Sequence, residues 1–283
     1  MFGSYAYSDE KAYRQLHIDR IIQNDGVKSY FNQKSVLDEK ERNHSYRFGI
    51  EQRTSLRNAL TLQFNGSNNT EYNDNNSLTN IGQSFAQYDT ILVSNSAFKE
   101  LFDRYSANLN NEFKIDSNGR KLTFDLDWSK FKSSKRVNYH NQYFDLNWSP
   151  FAPEEIQRSG MPIGIDIYVA KFDYEHPLSK VSKLEIGAKY SNVTSDNDLT
   201  FEDFLNSSWI NNVKRTNHFV YKEQIAAGYV DYNNTVGKWG VKIGLRGEYT
   251  LSDGHSLTLN KQVKRKYFQL FPNANLTYTV NEN

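Results

Sequence analysis

Residues 239–251 read WGVKIGLRGEYTL, and apolar residues alternate with polar ones along the stretch. An alternation with period two is typical of a β-strand that has one apolar face. The apolar face would carry Trp239, Val241, Ile243, Leu245, Tyr249 and Leu251, with Gly247 among them. The polar face would carry Lys242, Arg246, Glu248 and Thr250. The stretch therefore predicts an amphipathic strand.

The same alternation recurs along the chain, for example in KLTFDLDWS at 121–129, and no segment shows a helical stripe over three turns. The nearest candidate, 96–105, predicts a short helix in a loop. The pattern predicts about ten antiparallel strands, near residues 2–23, 27–53, 58–72, 101–116, 120–134, 164–176, 182–198, 214–232, 238–252 and 264–280.

The predicted connections differ in length. Short turns are expected near 54–57, 116–120, 177–181 and 233–237. A further tight turn, at the Asp-Gly pair in 24–26, suits a hairpin and falls on the side of the long connections. Longer polar connections are expected at 73–100, 135–163, 199–213 and 253–263. Short turns at one end of the strands and long loops at the other are typical of a membrane β-barrel.

Composition narrows the classes of protein that fit. The 283 residues carry a formal net charge of +1, which argues against a nucleic-acid partner. Hydrophobic residues are 37% of the chain, and no apolar run approaches the roughly 20 residues of a membrane-spanning helix. Aromatic residues reach 14%, which favours strands over disorder. The absence of Cys removes disulfides and thiolate chemistry.

The position of aromatic and charged residues favours a transmembrane barrel over a soluble sandwich. Aromatic residues fall near strand ends, as membrane-interface girdles do. The predicted interface residues are Trp128, Tyr190, Tyr229, Trp239 and Tyr249. Charged residues lie on the polar faces, where a water-filled lumen tolerates them without pairing. The predicted lumen-facing residues are Asp125, Lys242, Arg246 and Glu248.

Candidate ligand contacts come from the predicted loops, because recognition is concentrated in loops on a rigid scaffold. Exposed rings there stack on sugars or flat chelates, or pack the loop against itself. The candidates are Tyr139, Tyr143, Phe144 and Trp148 in 135–163, and Trp209 in 199–213. The six histidines form no HxxxH or HExxH pattern. No catalytic residue, metal site or cofactor is predicted.

The stretch 219–250, FVYKEQIAAGYVDYNNTVGKWGVKIGLRGEYT, resembles the TonB-dependent receptors of Bacteroidetes-type bacteria, and within them the outer membrane protein β-barrel branch. Its features are an aromatic-x-Glu-x-Ile-x-Ala strand from Tyr221, a short turn, and then Lys-Trp and Gly-Leu-Arg-x-Glu from Lys238. Further blocks at 44–66, 172–191 and 267–278 resemble other strands of the same family.

The resemblance implies a barrel of about 22 strands that is plugged by a separate domain. Residues 1–283 would form one incomplete domain, a barrel segment without the plug, in the outer membrane of a Gram-negative bacterium. The implied function is energised uptake of a scarce solute such as a siderophore, glycan or peptide, without enzymatic chemistry. The implied partners are outer-membrane lipid, the remaining strands, the plug and, through the plug, the TonB system.

Two alternatives remain open from the sequence. A small ten-stranded outer-membrane hydrolase would close its first strand onto its last. A soluble β-rich adhesin would instead bury its apolar residues between two sheets.

Overall fold

The computed structural model describes residues 1–280, and these form one antiparallel sheet. The prediction of an all-β meander is confirmed, with eleven strands rather than ten. The strands are β1 Phe2–Asn24, β2 Val27–Ser55, β3 Asn58–Ser84, β4 Gln87–Lys114, β5 Lys121–Phe144, β6 Glu155–Pro177, β7 Ser182–Leu205, β8 Ser208–Asn211, β9 Asn217–Val236, β10 Trp239–Ser256 and β11 Lys261–Tyr278.

Each strand pairs with its neighbour along the chain, except that the four-residue β8 pairs only with the end of β7. Strand β9 therefore continues the sheet directly from β7. Within the described residues, β1 pairs only with β2 and β11 only with β10, so the sheet has two open edges. We call the end with the connections 56–57, 115–120, 178–181 and 237–238 the proximal end, and the opposite end the distal end.

Cross-strand register separates the sheet into an apolar face and a polar face near the proximal end. One row on the apolar face crosses nine strands without a polar side chain other than tyrosine hydroxyls. Its members are Ile50, Leu62, Leu109, Leu126, Ala170, Tyr190, Ala226, Tyr249 and Phe268. The next row, on the opposite face, includes Thr61, Asn110, Asp125, Lys171, Lys189 and Glu248.

The two faces differ in exposure to solvent. On β10, Ile243 is 56% exposed and Leu245 is 44% exposed, whereas the neighbouring Lys242 and Arg246 are half-buried. A flat single layer would expose both faces equally. The sheet therefore curves, with the polar face on the inside, as the wall of a barrel does.

Within residues 1–280, the sheet has no second layer against which the apolar face packs. In residues 1–280, the buried hydrophobic side chains are only Ile91, Val137, Phe201 and Ala227. The apolar interior that an adhesin-like sandwich requires is therefore missing from the described structure. The same residues include no helix that is long and apolar enough to cross a membrane.

The predicted long connections are wrong in extent, because the strands continue through most of them. Few residues of these predicted connections lie outside strands: 85–86 in 73–100, 145–154 in 135–163, and 257–260 in 253–263. The predicted helix at 96–105 is part of β4. The tight turn at Asp25-Gly26 is present, and both residues have positive φ, of 47° and 84°, as a two-residue hairpin turn requires.

Polar side chains support these distal extensions by hydrogen bonding across strands. The Asn73 amide donates to Glu39 at 3.2 Å, and the Gln157 amide donates to Asp203 at 2.8 Å. Cross-strand pairs of this kind stabilise a sheet in place of apolar packing. The extensions therefore need no hydrophobic alternation in the sequence.

The ladder between β6 and β7 opens at Met161 and Pro162. Register pairs stop at Gly160 with Thr200 and resume at Ile163. On the other side, Pro162 still lies opposite Ser134 of β5. Because proline has no backbone N–H, it cannot donate to the β7 ladder.

Candidate functional site

The distal half of the polar face contains a cavity of about 380 Å³ that spans β1 to β5. Its position follows from register, since Asn75, Ser96 and Tyr139 lie directly opposite one another on β3, β4 and β5. The row continues through Gln157 of β6 to Asp203 of β7. The cavity is therefore built on strands and not on flexible loops.

A group of rings borders the cavity on its β7 side. The Tyr139 and Phe201 rings are stacked, with centroids 6.0 Å apart and planes at 30°. The Arg215 guanidinium lies 3.3 Å from the centroid of the Phe201 ring, within the distance of a cation–π contact. Phe201 is only 4% exposed, so this contact fixes the 212–216 segment against the polar face.

Two amides hold the Asp203 carboxylate beside these rings. The Gln157 side chain donates to Asp203 Oδ1 at 2.8 Å, and the Asn212 side chain donates to Oδ2 at 2.8 Å. Both carboxylate oxygens thus have partners, which orients Gln157 next to Tyr139. We infer a stable wall on this side of the cavity.

A row of carboxylates crosses the polar face four residues closer to the proximal end, which is two positions along the same face. Glu10, Glu41, Glu71 and Glu100 occupy directly opposed positions on β1 to β4. Lys135 of β5 ends the row, with its Nζ 3.3 Å from Glu100 Oε2. Burial raises the pKa of the Glu71 carboxyl above its ordinary value, and the neighbouring glutamates add to this, while Lys135 opposes them.

The five aromatic residues that the sequence nominated as ligand contacts lie on both faces. Register places Tyr139 and Tyr143 on the polar face and Phe144 on the other. Trp148 lies in the 145–154 loop at 54% exposure, with its ring 5.6 Å from that of Phe144. Trp209 lies on β8, where it contacts Phe204 and the Arg158 guanidinium. Tyr139 alone among the five lines the cavity.

The charged residues that were expected to face a lumen all lie on the polar face: Asp125, Lys242, Arg246 and Glu248. Several are paired there, as in the contact of 2.5 Å between Arg246 Nε and Glu248 Oε1. Of the expected interface aromatics, the apolar face carries Trp128, Tyr190, Trp239 and Tyr249. Tyr229 instead lies on the polar face, where its hydroxyl donates to Asp173.

In the part of the chain that the structure describes, no group of three or more His, Asp or Glu side chains is arranged to hold a metal ion. His218 pairs with Asp196 at 2.8 Å, and both residues lie on strand faces away from the cavity. This contact connects β7 to β9.

Sequence reasoning did not identify most of the cavity. The sequence predicts a long polar connection at 73–100, and this range contains the lining residues Asn75, Ser77 and Thr79. The signal is that Asn75 is half-buried and Ser77 is buried, whereas Asn76 between them is exposed. Since both faces are polar at this height, the alternation is absent from hydropathy and becomes visible only through burial.

A long antiparallel sheet with an outer apolar row and an inner charged row is the wall of a membrane barrel. The model of the outer membrane protein beta-barrel family matches residues 113–283. The chain therefore belongs to that family, and its place is the outer membrane. A search of curated proteins finds no match.

Solved structures give more distant similarities. The ferric citrate transporter FecA in its unliganded form has a TM-score of 0.47 at 11% identity, and the match covers 89% of this chain and 42% of that one. The protease OmpT from Escherichia coli has a TM-score of 0.28 at 11% identity, over 98% and 94% of the two chains. The alcaligin receptor FauA from Bordetella pertussis has a TM-score of 0.26 at 9% identity, over 96% and 62%. The chain thus spans less than half the length of FecA.

Proposed function

We propose that this chain forms part of the barrel wall of a TonB-dependent receptor, which takes up a scarce solute across the outer membrane. The observation that carries the proposal is a single curved sheet whose apolar row is unbroken across nine strands while both edges stay open. Unpaired backbone groups are very unfavourable in hydrocarbon. Further strands of the same protein would therefore join β1 and β11.

The domain organisation follows from the same argument. Residues 1–283 belong to one barrel domain, and the receptor also has a plug inside the barrel. The plug would contact the polar face and connect it to the TonB system of the inner membrane. The resemblance of 219–250 to receptors of Bacteroidetes-type bacteria supports an origin in that group.

The polar face supplies the surface along which a solute moves. It carries paired charges such as Arg246 with Glu248 near the proximal end, and the cavity at the distal end. In this arrangement the cavity meets the solute first, and the protein carries out no bond chemistry.

The proposal is tested by metabolite footprinting of the source organism. Strains that lack this gene, or lack the TonB energiser, are grown in a defined mixture of sugars, peptides and iron chelates. Spent medium is then analysed by mass spectrometry. We expect the same solute to remain in the medium of both strains, and the full-length gene to restore its uptake.

Two outcomes would overturn the proposal. Uptake that needs this gene but proceeds without the TonB energiser would define a passive pore. A solute that is cleaved outside the cell only when the gene is present would define an enzyme.

A further inference from the structure

The cavity at the distal end of the polar face differs chemically from the charged rows below it. Most of its lining is neutral amides and hydroxyls, among them Gln33, Asn75, Ser77, Thr79, Ser96 and Asn141. Its volume of about 380 Å³ lies within the range of roughly 300–1,000 Å³ that small-molecule sites occupy. No carboxylate of the described residues lines it.

Asn75 has an unmet hydrogen-bonding requirement in this cavity. Its Oδ1 atom is buried and has no hydrogen-bond partner among the described residues. Leaving a buried acceptor unpaired costs about 1–3 kcal/mol. Because the Asn75 side chain as a whole is half-buried and lines the cavity, a small rotation would bring this oxygen within reach of a donor group on a ligand.

The hydroxyls beside Asn75 are also buried. Ser77 and Thr79 are each 7% exposed. The hydroxyl of Ser77 makes only a long contact of 3.4 Å with the Ser94 carbonyl oxygen. These groups can donate or accept, so they match a ligand that does both.

Rings and one cation complete the lining. Tyr139 is held by its stack on Phe201, and Phe31 lies on β2 on the opposite side of the cavity. Arg20 contributes a positive charge, and its cross-strand partner is the uncharged Phe31. The cavity therefore combines apolar ring faces, neutral polar groups and a single positive charge.

We propose that this cavity binds a saccharide, and that it favours an acidic sugar over a neutral one. A sugar hydroxyl donates to Asn75 Oδ1, the Tyr139 ring contacts the C–H face of a sugar, and Arg20 pairs with a carboxylate substituent. This inference rests on the proposed function, since it names the class of solute. A highly charged metal chelate fits less well, because it would meet only one cation.

Calorimetry on the protein extracted in detergent from the outer membrane tests the site without any energy source. The probes are trigalacturonate and maltotriose, and the variants are Asn75→Ala, Arg20→Gln and Asn76→Ala. Asn76 is the matched control, because it is the adjacent asparagine of β3, exposed and on the opposite face. We expect trigalacturonate to bind more tightly than maltotriose.

Asn75→Ala should weaken trigalacturonate binding about tenfold, which corresponds to roughly 1.4 kcal/mol, without lowering the unfolding midpoint of the free protein. Unchanged stability separates binding from a structural role, because the substitution removes an unpaired acceptor. Arg20→Gln should abolish only the preference for the acidic probe, and Asn76→Ala should change neither affinity.

Absence of saccharide binding, or affinity that does not depend on Asn75, would overturn the site. Equal affinities for the two probes would overturn the role given to Arg20. Saccharide binding combined with uptake that is independent of TonB would leave the site in place and refute the proposed function. TonB-dependent uptake of a solute other than a saccharide would refute the saccharide site and leave the proposed function in place.

Discussion

The ring of Tyr229 covers Gly187 on the neighbouring strand of the polar face. From this position the Tyr229 hydroxyl donates to Asp173, which lies opposite Gly187 on β6. A glycine is required under the ring, because any Cβ there would overlap the ring atoms. The register of β9 places Tyr229 on this face, opposite to the one that carries the other expected interface aromatics.

Gly187→Ala is therefore expected to destabilise the protein by about 1–3 kcal/mol, the usual range for overpacking. Urea unfolding in detergent micelles, followed by tryptophan fluorescence, measures the change. Gly164→Ala is the matched control, since a Cβ on this strand glycine meets nothing within 4 Å. Recovery of stability in the double variant with Tyr229→Ala would attribute the loss to the ring, and equal effects of the two single alanines would contradict this explanation.

Glu71→Gln is expected to stabilise the protein at neutral pH. Burial raises the pKa of Glu71 above its ordinary value of 4.5, with Glu41 and Glu100 adding to the effect. The folded state therefore binds the proton more tightly than the unfolded state, and stability falls as pH rises from 4.5 through the folded pKa. In the glutamine variant this loss should disappear.

Unfolding midpoints between pH 4 and pH 8 provide the measurement for Glu71. The control variant is Glu100→Gln, for which we expect the opposite change in stability. Glu100 accepts a hydrogen bond from Ser133 at 2.8 Å and pairs with Lys135. We expect this control to lose stability at neutral pH. A Glu71→Gln variant that is less stable than the parent at pH 8 would show that the carboxylate has a partner in solution.

Leu126→Arg and Thr123→Arg test which face of β5 contacts lipid. Leu126 belongs to the apolar row and is 39% exposed, whereas Thr123 lies on the polar face opposite Glu112 and Asp173. An arginine facing the middle of the bilayer costs about 2–4 kcal/mol. We expect this loss for Leu126→Arg only. Unfolding in lipid vesicles measures both variants, and equal tolerance of the two arginines would argue against the assignment of the faces.

Pro162→Ala is expected to close the gap between β6 and β7. The substitution supplies an N–H where the register pairs are missing between Gly160 and Ile163. Amide hydrogen exchange of the facing residue, Asp198, should become slower. Pro177→Ala at the last position of β6 is the control, and no change at Asp198 would mean that proline is not the cause of the gap.

The sequence predicted the proximal half of the sheet better than the distal half, for a physical reason. Leu126 and Ile243 alternate with charged residues because one face meets lipid and the other does not, so period two is visible. Asn75 and Ser96 lie in distal strand segments where both faces are polar, and asparagine and serine favour turns in general. Their strand conformation comes from cross-strand pairing, which no local pattern encodes.

The cavity was partly accessible from sequence, through Tyr139. The ring was selected as an aromatic residue in a polar segment, and the structure places it in the cavity. Trp148 and Trp209 had the same local signal but lie elsewhere. The face on which a side chain lies depends on strand register. Because the strands were predicted too short, there was no register from which to assign these residues to a face.

The meander order of the sheet has a consequence for how the protein assembles. Every strand pairs with the strand before it, across connections as short as the two residues 25–26 or 85–86, except that β9 passes over the short β8 and pairs with β7. Each new pairing then closes only a short loop, which keeps the entropy loss of each step small. The sheet can grow one hairpin at a time, and at every stage its last strand is the template on which the next strand aligns.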